Sequence, residues 1–198
     1  DDTAEINAEG HNLLINTDLL VEEVHFSELT TSPIDIGWKA IASNVSDLIA
    51  SGCTKMSAFT VGLVAPPTTS WDWVEDVYKG MSEALQYFGG ILIGGDCSQG
   101  QTKILSITAI GQVSEIKLHR SNALPGDYLI ASGSHGLSRL GLAILTSEPI
   151  LKNIKISTDL SKRAVCAHQR PSPPKEAIKN LIASKPKGSP FRAAGTDS

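Results

Sequence analysis

The sequence predicts an α+β fold: an N-terminal mixed sheet with its helices on one face, followed by a partial α/β C-terminal region. Three observations predict it. As far as Val113, strand-like and helix-like segments follow in the order strand, helix, strand, helix, strand, strand. Helix-capping and helix-ending residues punctuate those segments at the expected places. A polar stretch over residues 114–126, closing on a Pro-Gly-Asp turn, then separates them from a more helical remainder. The boundaries expected are residues 1–115 for the first domain and 120–198 for an incomplete second one.

Each element has its own warrant. Residues 11–18, HNLLINTD, read as a short buried strand that Asp18 ends. Asp35 is a candidate cap for a helix over 36–51, stopped by Gly52, with an apolar stripe of Ile41, Val45, Leu48 and Ile49. Residues 56–64, MSAFTVGLV, read as a strand closed by two prolines. Ser70 caps a helix whose stripe runs Trp71, Val74, Tyr78, Met81, Leu85 and Phe88, and Gly89-Gly90 ends it. Residues 91–93 form a short apolar strand running into Gly94-Gly95-Asp96, and 103–113 form another strand. Beyond the boundary, 128–132 is expected to restart as a strand, and 136–146, 158–168 and 175–183 as helices.

Composition narrows the classes. A hydrophobic content of 41% with 19% charged residues fits an ordinary globular chain. Seventeen basic against 21 acidic side chains give a net charge of −4, which argues against a nucleic-acid binder. No stretch approaches a membrane span, and the acidic start DDTAEINAEG is no secretory signal. Cys53, Cys97 and Cys166 lie far apart with no CxxC pair, which speaks against a disulfide framework and a zinc site and suggests a reducing compartment. The missing initial Met and abrupt end suggest a fragment, truncated at both ends.

The chemistry lies in the aspartates. Asp1-Asp2 opens the chain, Asp18 and Asp96 are expected at strand ends, Asp47 sits on a helix flank away from the apolar stripe, and Asp197 is next to last. Strand ends of a sheet gather at one edge, where ligand sites form. Carboxylates converging there would repel unless cations lay between them, and magnesium takes carboxylates together with substrate phosphates. No GxxxxGK[ST] is present, so a Walker-type phosphate loop is excluded within the chain. Each residue also has a plain structural reading: Asp18 as a helix cap, Asp47 as a solvated helix position, Gly-Gly-Asp as a turn, His25 as a surface histidine, Tyr78 and Trp71 as core.

Taken together, NTDLLVEEVHF, IGWKAIASNVSDLIASG, GGDCSQG and HRSNALPGDYLIASG, in that order and spacing, resemble the bacterial thiamine-monophosphate kinases, within the superfamily that includes aminoimidazole ribonucleotide synthetase. The resemblance covers nearly the whole chain and has a plastid or cyanobacterial flavour. It implies transfer of the γ-phosphoryl of ATP to thiamine monophosphate, several magnesium ions, and no protein nucleophile. It implies metal ligation by Asp2, Thr17, Asp18, Asp47, Asp96 and Asp197, with Asn16 as a metal neighbour. It further implies ATP contacts from Tyr78, Gly95, Asp96 and Arg120, and a substrate contact from His25. Domain 1–115 would bind ATP and magnesium and pair with its copy in a homodimer. The setting implied is the cytoplasm, or the plastid stroma of a eukaryote. Asp197 matches the first aspartate of an Asp-x-Ser-Asp-Gly-Leu motif whose remainder is absent, so these 198 residues are expected to be inactive alone. The alternatives are another ATP-using synthetase of the superfamily, or a non-catalytic nucleotide-binding fragment.

Overall fold

A computed structural model describes residues 2–8, 10–113, 116–184 and 192–197. Asp1, Ser198 and the start of the expected boundary at residue 114 lie outside the described residues. The α+β class is the one observed. Five strands, β1 (Ala4–Ala8), β2 (His11–Val21), β3 (Cys53–Ala65), β4 (Ile91–Gln99) and β5 (Ile104–Val113), form one sheet in the order β1-β2-β5-β3-β4. The β3–β4 pair is parallel and the other pairs antiparallel. The parallel pair follows from the α2 crossover between its strands, since a tight turn can join only antiparallel neighbours.

Helices α1 (Pro33–Ala50) and α2 (Trp71–Phe88) cover one face of this sheet. Helix α1 starts earlier than expected, because Ser32 and not Asp35 is the cap. The Ser32 hydroxyl accepts from the Asp35 amide and donates to the Asp35 carboxylate, with Pro33 at the first helical position. Ile36, Ile41, Val45 and Leu48 of α1 are buried against Phe59, Val61, Leu105 and Ile107 of the central strands. Each such side chain contributes about 1.5–3 kcal/mol of transfer free energy. The two helices cross at backbone contact: a Cβ on Gly37 would lie 1.9 Å from the Val77 carbonyl oxygen, and one on Gly80 1.8 Å from that of Ile34.

Several expectations need correction. The buried stripe of α2 is Trp73, Val77, Gly80, Met81, Ala84 and Phe88, whereas Trp71 is 71% exposed at the helix start, its indole bonded to Glu75. Strand β1 was not foreseen: AEINA alternates, but it is only five residues long, its apolar positions are small or single, and it is wholly exposed. Asp18 and Asp96 do not end strands but lie inside β2 and β4. Residues 128–132 form no strand: Tyr128, Leu129 and Ile130 are almost fully exposed, with no partner strand among the described residues.

The remaining helices are α3 (Leu137–Leu145), α4 (Thr158–Gln169) and α5 (Lys175–Ala183). The end of α4 is clamped to the first two helices. Arg170 pairs with Asp35 and with Glu83, the latter at 2.9 Å, and the Trp38 indole donates to the Pro171 carbonyl at 2.9 Å. Helix α5 buries Ile178 against the same core, so its apolar face is covered rather than left open.

Candidate functional site

The site grows from β2 and α1. On β2, side chains alternate between faces, so Leu14, Asn16 and Leu20 are buried beneath the helices and Asp18 points the same way. Across from them α1 presents Asn44 and Asp47, both buried despite their polarity. They are tied together. The Asn16 amide nitrogen donates to the Asn44 side-chain oxygen at 3.1 Å and to the Asp47 carboxylate at 2.8 Å. The same Asn44 oxygen accepts from the Asp18 backbone amide at 3.2 Å, and the Asn44 nitrogen donates to Ala40. Asp47 is therefore no solvated helix residue; its flank faces the sheet edge of the core.

Onto this pair the structure brings the two ends of the chain. Carboxylate oxygens of Asp2, Asp47 and Asp197 lie within 4.8 Å of one another. Burial first, then the hydrogen bond and charge of Asp197 and the charge of Asp18, push the Asp47 carboxyl up to about 8. Asp18 is also raised, by burial first and next by Asp197, so it belongs to the same electrostatic group. Arg120, in a short 3-10 turn at Arg120–Asn122, donates to the Asp2 carboxylate at the rim.

The donor set suits a hard cation. Its ligating atoms are all oxygens, with no sulfur or imidazole among the three clustered carboxylates. The Asn16 side-chain oxygen is buried beside Asp47 and has no hydrogen-bond partner. An orphaned buried acceptor costs about 1–3 kcal/mol unless a water or ion meets it. Carboxylates that close together at neutral pH require either a shared proton or a cation.

The other predicted site residues are placed elsewhere. The Thr17 hydroxyl lies on the opposite face of the sheet, 2.8 Å from that of Thr108. Asp96 pairs in register with Gly62 on the edge strand β4, is exposed, and lies on that same open face. Within one chain it is not brought to Asp2, Asp47 and Asp197. Gly95 packs on β3 so closely that a Cβ would meet the Val61 carbonyl oxygen at 1.9 Å. Tyr78 reaches Cys97 beside it, and burial with that contact raises its phenol. His25 accepts from the Val21 amide at 3.1 Å, and its carbonyl accepts from the Lys39 ammonium at 2.9 Å.

Lys39, Asn44 and His168 were not singled out from the sequence. Lys39 had a signal, since Lys39, Ser43 and Asp47 repeat every four residues along one stripe of α1. His168 had none.

Residues 1–113 match the family of AIR synthase related protein, N-terminal domain. A thiamine-monophosphate kinase of Prochlorococcus marinus is 56% identical over all 198 residues, which span 60% of that protein's length. The structure of AaThiL complexed with AMPPCP and TMP superposes with a TM-score of 0.80 at 30% identity, covering 91% of this chain and 56% of that one. The thiamine monophosphate kinase of Aquifex aeolicus superposes with a TM-score of 0.74 at 30% identity, covering 85% and 55%.

Proposed function

The chain belongs to the AIR synthase related family, and from that premise we propose that it forms the metal- and nucleotide-binding part of an ATP-dependent thiamine-monophosphate kinase. In the reaction an oxygen of the thiamine monophosphate phosphate forms a bond to the γ-phosphorus of ATP, the bond to the β-bridging oxygen breaks, and ADP leaves with that electron pair. Catalysis of this kind rests on alignment and charge neutralisation rather than on a protein nucleophile. Magnesium ions, when bound, neutralise the two polyanions as they meet. Asp2, Asp18, Asp47 and Asp197 would hold them, with Asn16 supplying its unpartnered oxygen. Arg120, whose guanidinium pairs with Asp2, would offer phosphate oxygens a two-pronged donor.

The single observation that carries this reading is the convergence of Asp2, Asp47 and Asp197 within 4.8 Å beside an orphaned buried amide oxygen. Thr17 and Asp96, on the open face of the sheet, keep the roles proposed for them only if a second copy of the chain covers that face. We therefore include a homodimer in the proposal. Exposed Ile91 and Ile93 on the edge strand β4 support it. We keep the division into residues 1–115 and 120–198, a location in the cytoplasm or plastid stroma, and the absence of nucleic-acid and membrane partners as parts of the same reading. No described helix is long and apolar enough to cross a membrane.

Because the chain spans 60% of the length of the Prochlorococcus relative, we propose that these residues alone do not turn over. Two measurements test the proposal. Mn2+, read by EPR as a stand-in for magnesium, is expected to bind the chain and to bind Asp47→Asn at least tenfold more weakly; equal binding refutes the metal site. Thiamine diphosphate formation by the natural protein containing these residues tests the reaction, and no product from ATP, magnesium and thiamine monophosphate refutes it.

A further inference from the structure

Asn44 is an amide sealed inside the middle of α1, only 1% exposed. A polar group so deep is unfavourable unless its hydrogen bonds are made. Three are made here, and each has its own destination. The Asn44 nitrogen donates to the Ala40 carbonyl one turn back at 2.9 Å, which sets the orientation of the amide and turns its oxygen toward β2. That oxygen accepts twice, from the Asn16 side-chain nitrogen at 3.1 Å and from the Asp18 backbone amide at 3.2 Å.

The bond from Asp18 fills a gap in the sheet. Strand β1 pairs with β2 only as far as Ala4 opposite Ile15, so at Asp18 the strand β2 has a neighbour on one side, β5. The Asn44 oxygen takes the Asp18 amide where no strand does, and so holds the stretch of main chain that carries the Asp18 carboxylate. The bond from Asn16 acts on Asp47. Asn16 spends one N–H on Asn44 and the other on the Asp47 carboxylate, at 2.8 Å. With the first fixed, the Asn16 amide cannot turn over, so its donor side stays on Asp47 and its own oxygen is left without a partner. Asn44 thus reaches both carboxylates indirectly, Asp18 through its main chain and Asp47 through Asn16.

We infer that Asn44 is the positioning residue of the carboxylate cluster: from α1 it fixes Asp18 on β2 against Asp47 on its own helix, three residues further along the same face. The inference rests on the metal site proposed above and adds to it a residue that acts through the ligands. The residue type follows from the three bonds. An aspartate would set a second oxygen against the Ala40 carbonyl and bring another charge beside the cluster. A serine hydroxyl would spend itself on the carbonyl one turn back, as Ser43 does on Lys39 at 2.9 Å.

Mn2+ binding, read by EPR well below the melting temperature and with folding checked by circular dichroism, tests this. Asn44→Ala is expected to weaken Mn2+ at least fivefold and to alter the line shape of the bound ion. Gly80→Ala, which strains the contact of α1 with α2 instead, is expected to change Mn2+ binding less than twofold. Asp18→Asn is expected to weaken Mn2+ at least tenfold in the unsubstituted chain and less than threefold in the Asn44→Ala background, because the first change already releases Asp18. Unchanged Mn2+ binding in Asn44→Ala, an equal loss in Gly80→Ala, or a full tenfold loss on adding Asp18→Asn each overturns the positioning role and leaves the metal site standing. No Mn2+ binding by the unsubstituted chain overturns both. If Asn44→Ala does not fold, NMR of the unsubstituted chain decides: saturating Mg2+ is expected to move the Asn44 side-chain amide and Asp18 backbone amide resonances, and unmoved resonances with Mg2+ bound overturn the inference.

Discussion

Replacing Asp47 by Asn should stabilise the chain when divalent cations are removed and destabilise it relative to wild type when they are present. The carboxyl of Asp47 is pushed up to about 8 from an ordinary 3.8, by burial first and by Asp197 next. A folded-state value above the unfolded one means that the folded chain holds the extra proton between about pH 4 and pH 8. Stability therefore falls as pH rises through that window, and the loss is complete above it. The full difference would be worth roughly 5–6 kcal/mol at about 1.4 kcal/mol per pH unit. Asp2 is half-buried and Asp197 exposed, so water screens much of the repulsion, and about 2 kcal/mol is the expected cost at pH 8. The amide of Asn imitates the protonated acid: its oxygen still accepts from Asn16 and its nitrogen donates to Asp197.

Thermal unfolding in EDTA reads this directly. At pH 8 Asp47→Asn should melt about 4–8 °C above wild type, since 1 kcal/mol moves a chain of this size by about 2–4 °C. At pH 5 the gap should be much smaller, because stability has fallen only over the first unit of the window that begins near pH 4. With 10 mM magnesium the order should reverse at pH 8, because wild type gains the binding free energy and the variant loses it. A variant that melts below wild type in EDTA at pH 8, or a gap that persists unchanged at pH 5, would refute the account of the cluster as repelling carboxylates.

Gly80→Ala should cost about 2–3 kcal/mol by chemical denaturation, because its methyl would sit 1.8 Å from the Ile34 carbonyl oxygen and push α2 off α1. Trp71→Ala should change stability by less than about 0.5 kcal/mol, since the indole is 71% exposed. In the natural protein, His25→Ala should raise KM for thiamine monophosphate more than KM for ATP, and equal effects would return His25 to a surface role. Mixing Asp47→Asn with Asp96→Asn subunits should restore about a quarter of the activity if Asp96 acts across a two-fold dimer; no recovery after verified subunit exchange would place both groups in one chain.

The elements that the sequence revealed are those whose signal is local. Ser70 and Gly89 mark both ends of α2, and the spacing of Ile41, Val45 and Leu48 marks the buried face of α1. The period of α2 was legible but its phase was not: Trp71 and Trp73 compete for the stripe, and only the docking of Val77 and Met81 under α1 decides for Trp73. Strand β1 exists because β2 offers it an antiparallel partner, from Ala4 opposite Ile15 to Ala8 opposite His11. Residues 128–132 show the converse, an apolar run with no such partner among the described residues. The aspartates were legible as a set through the family resemblance, whereas the approach of Asp197 to Asp47 is tertiary and has no local trace. His168 is hidden for the same reason, since its unmet hydrogen bond is one that no spacing announces.

The position of Asp18 connects the two halves of the site. One wall of the same helix carries Lys39, Ser43 and Asp47 in successive turns, so α1 passes from a donor surface to an acceptor surface over eight residues. Holding the carboxylates of Asp2, Asp18 and Asp197 around buried Asp47 is unfavourable by itself, and so is burying His168 and Lys39 without an anion. Neither half is relieved by pairing with the other, because Lys39 bonds to the His25 carbonyl and not to Asp18. A cation among the carboxylates would relieve the first half, and an anion beside Lys39 and His168 would relieve the second. On this argument magnesium and such an anion should bind with positive coupling, since Asp18 borders both groups and their opposite charges attract.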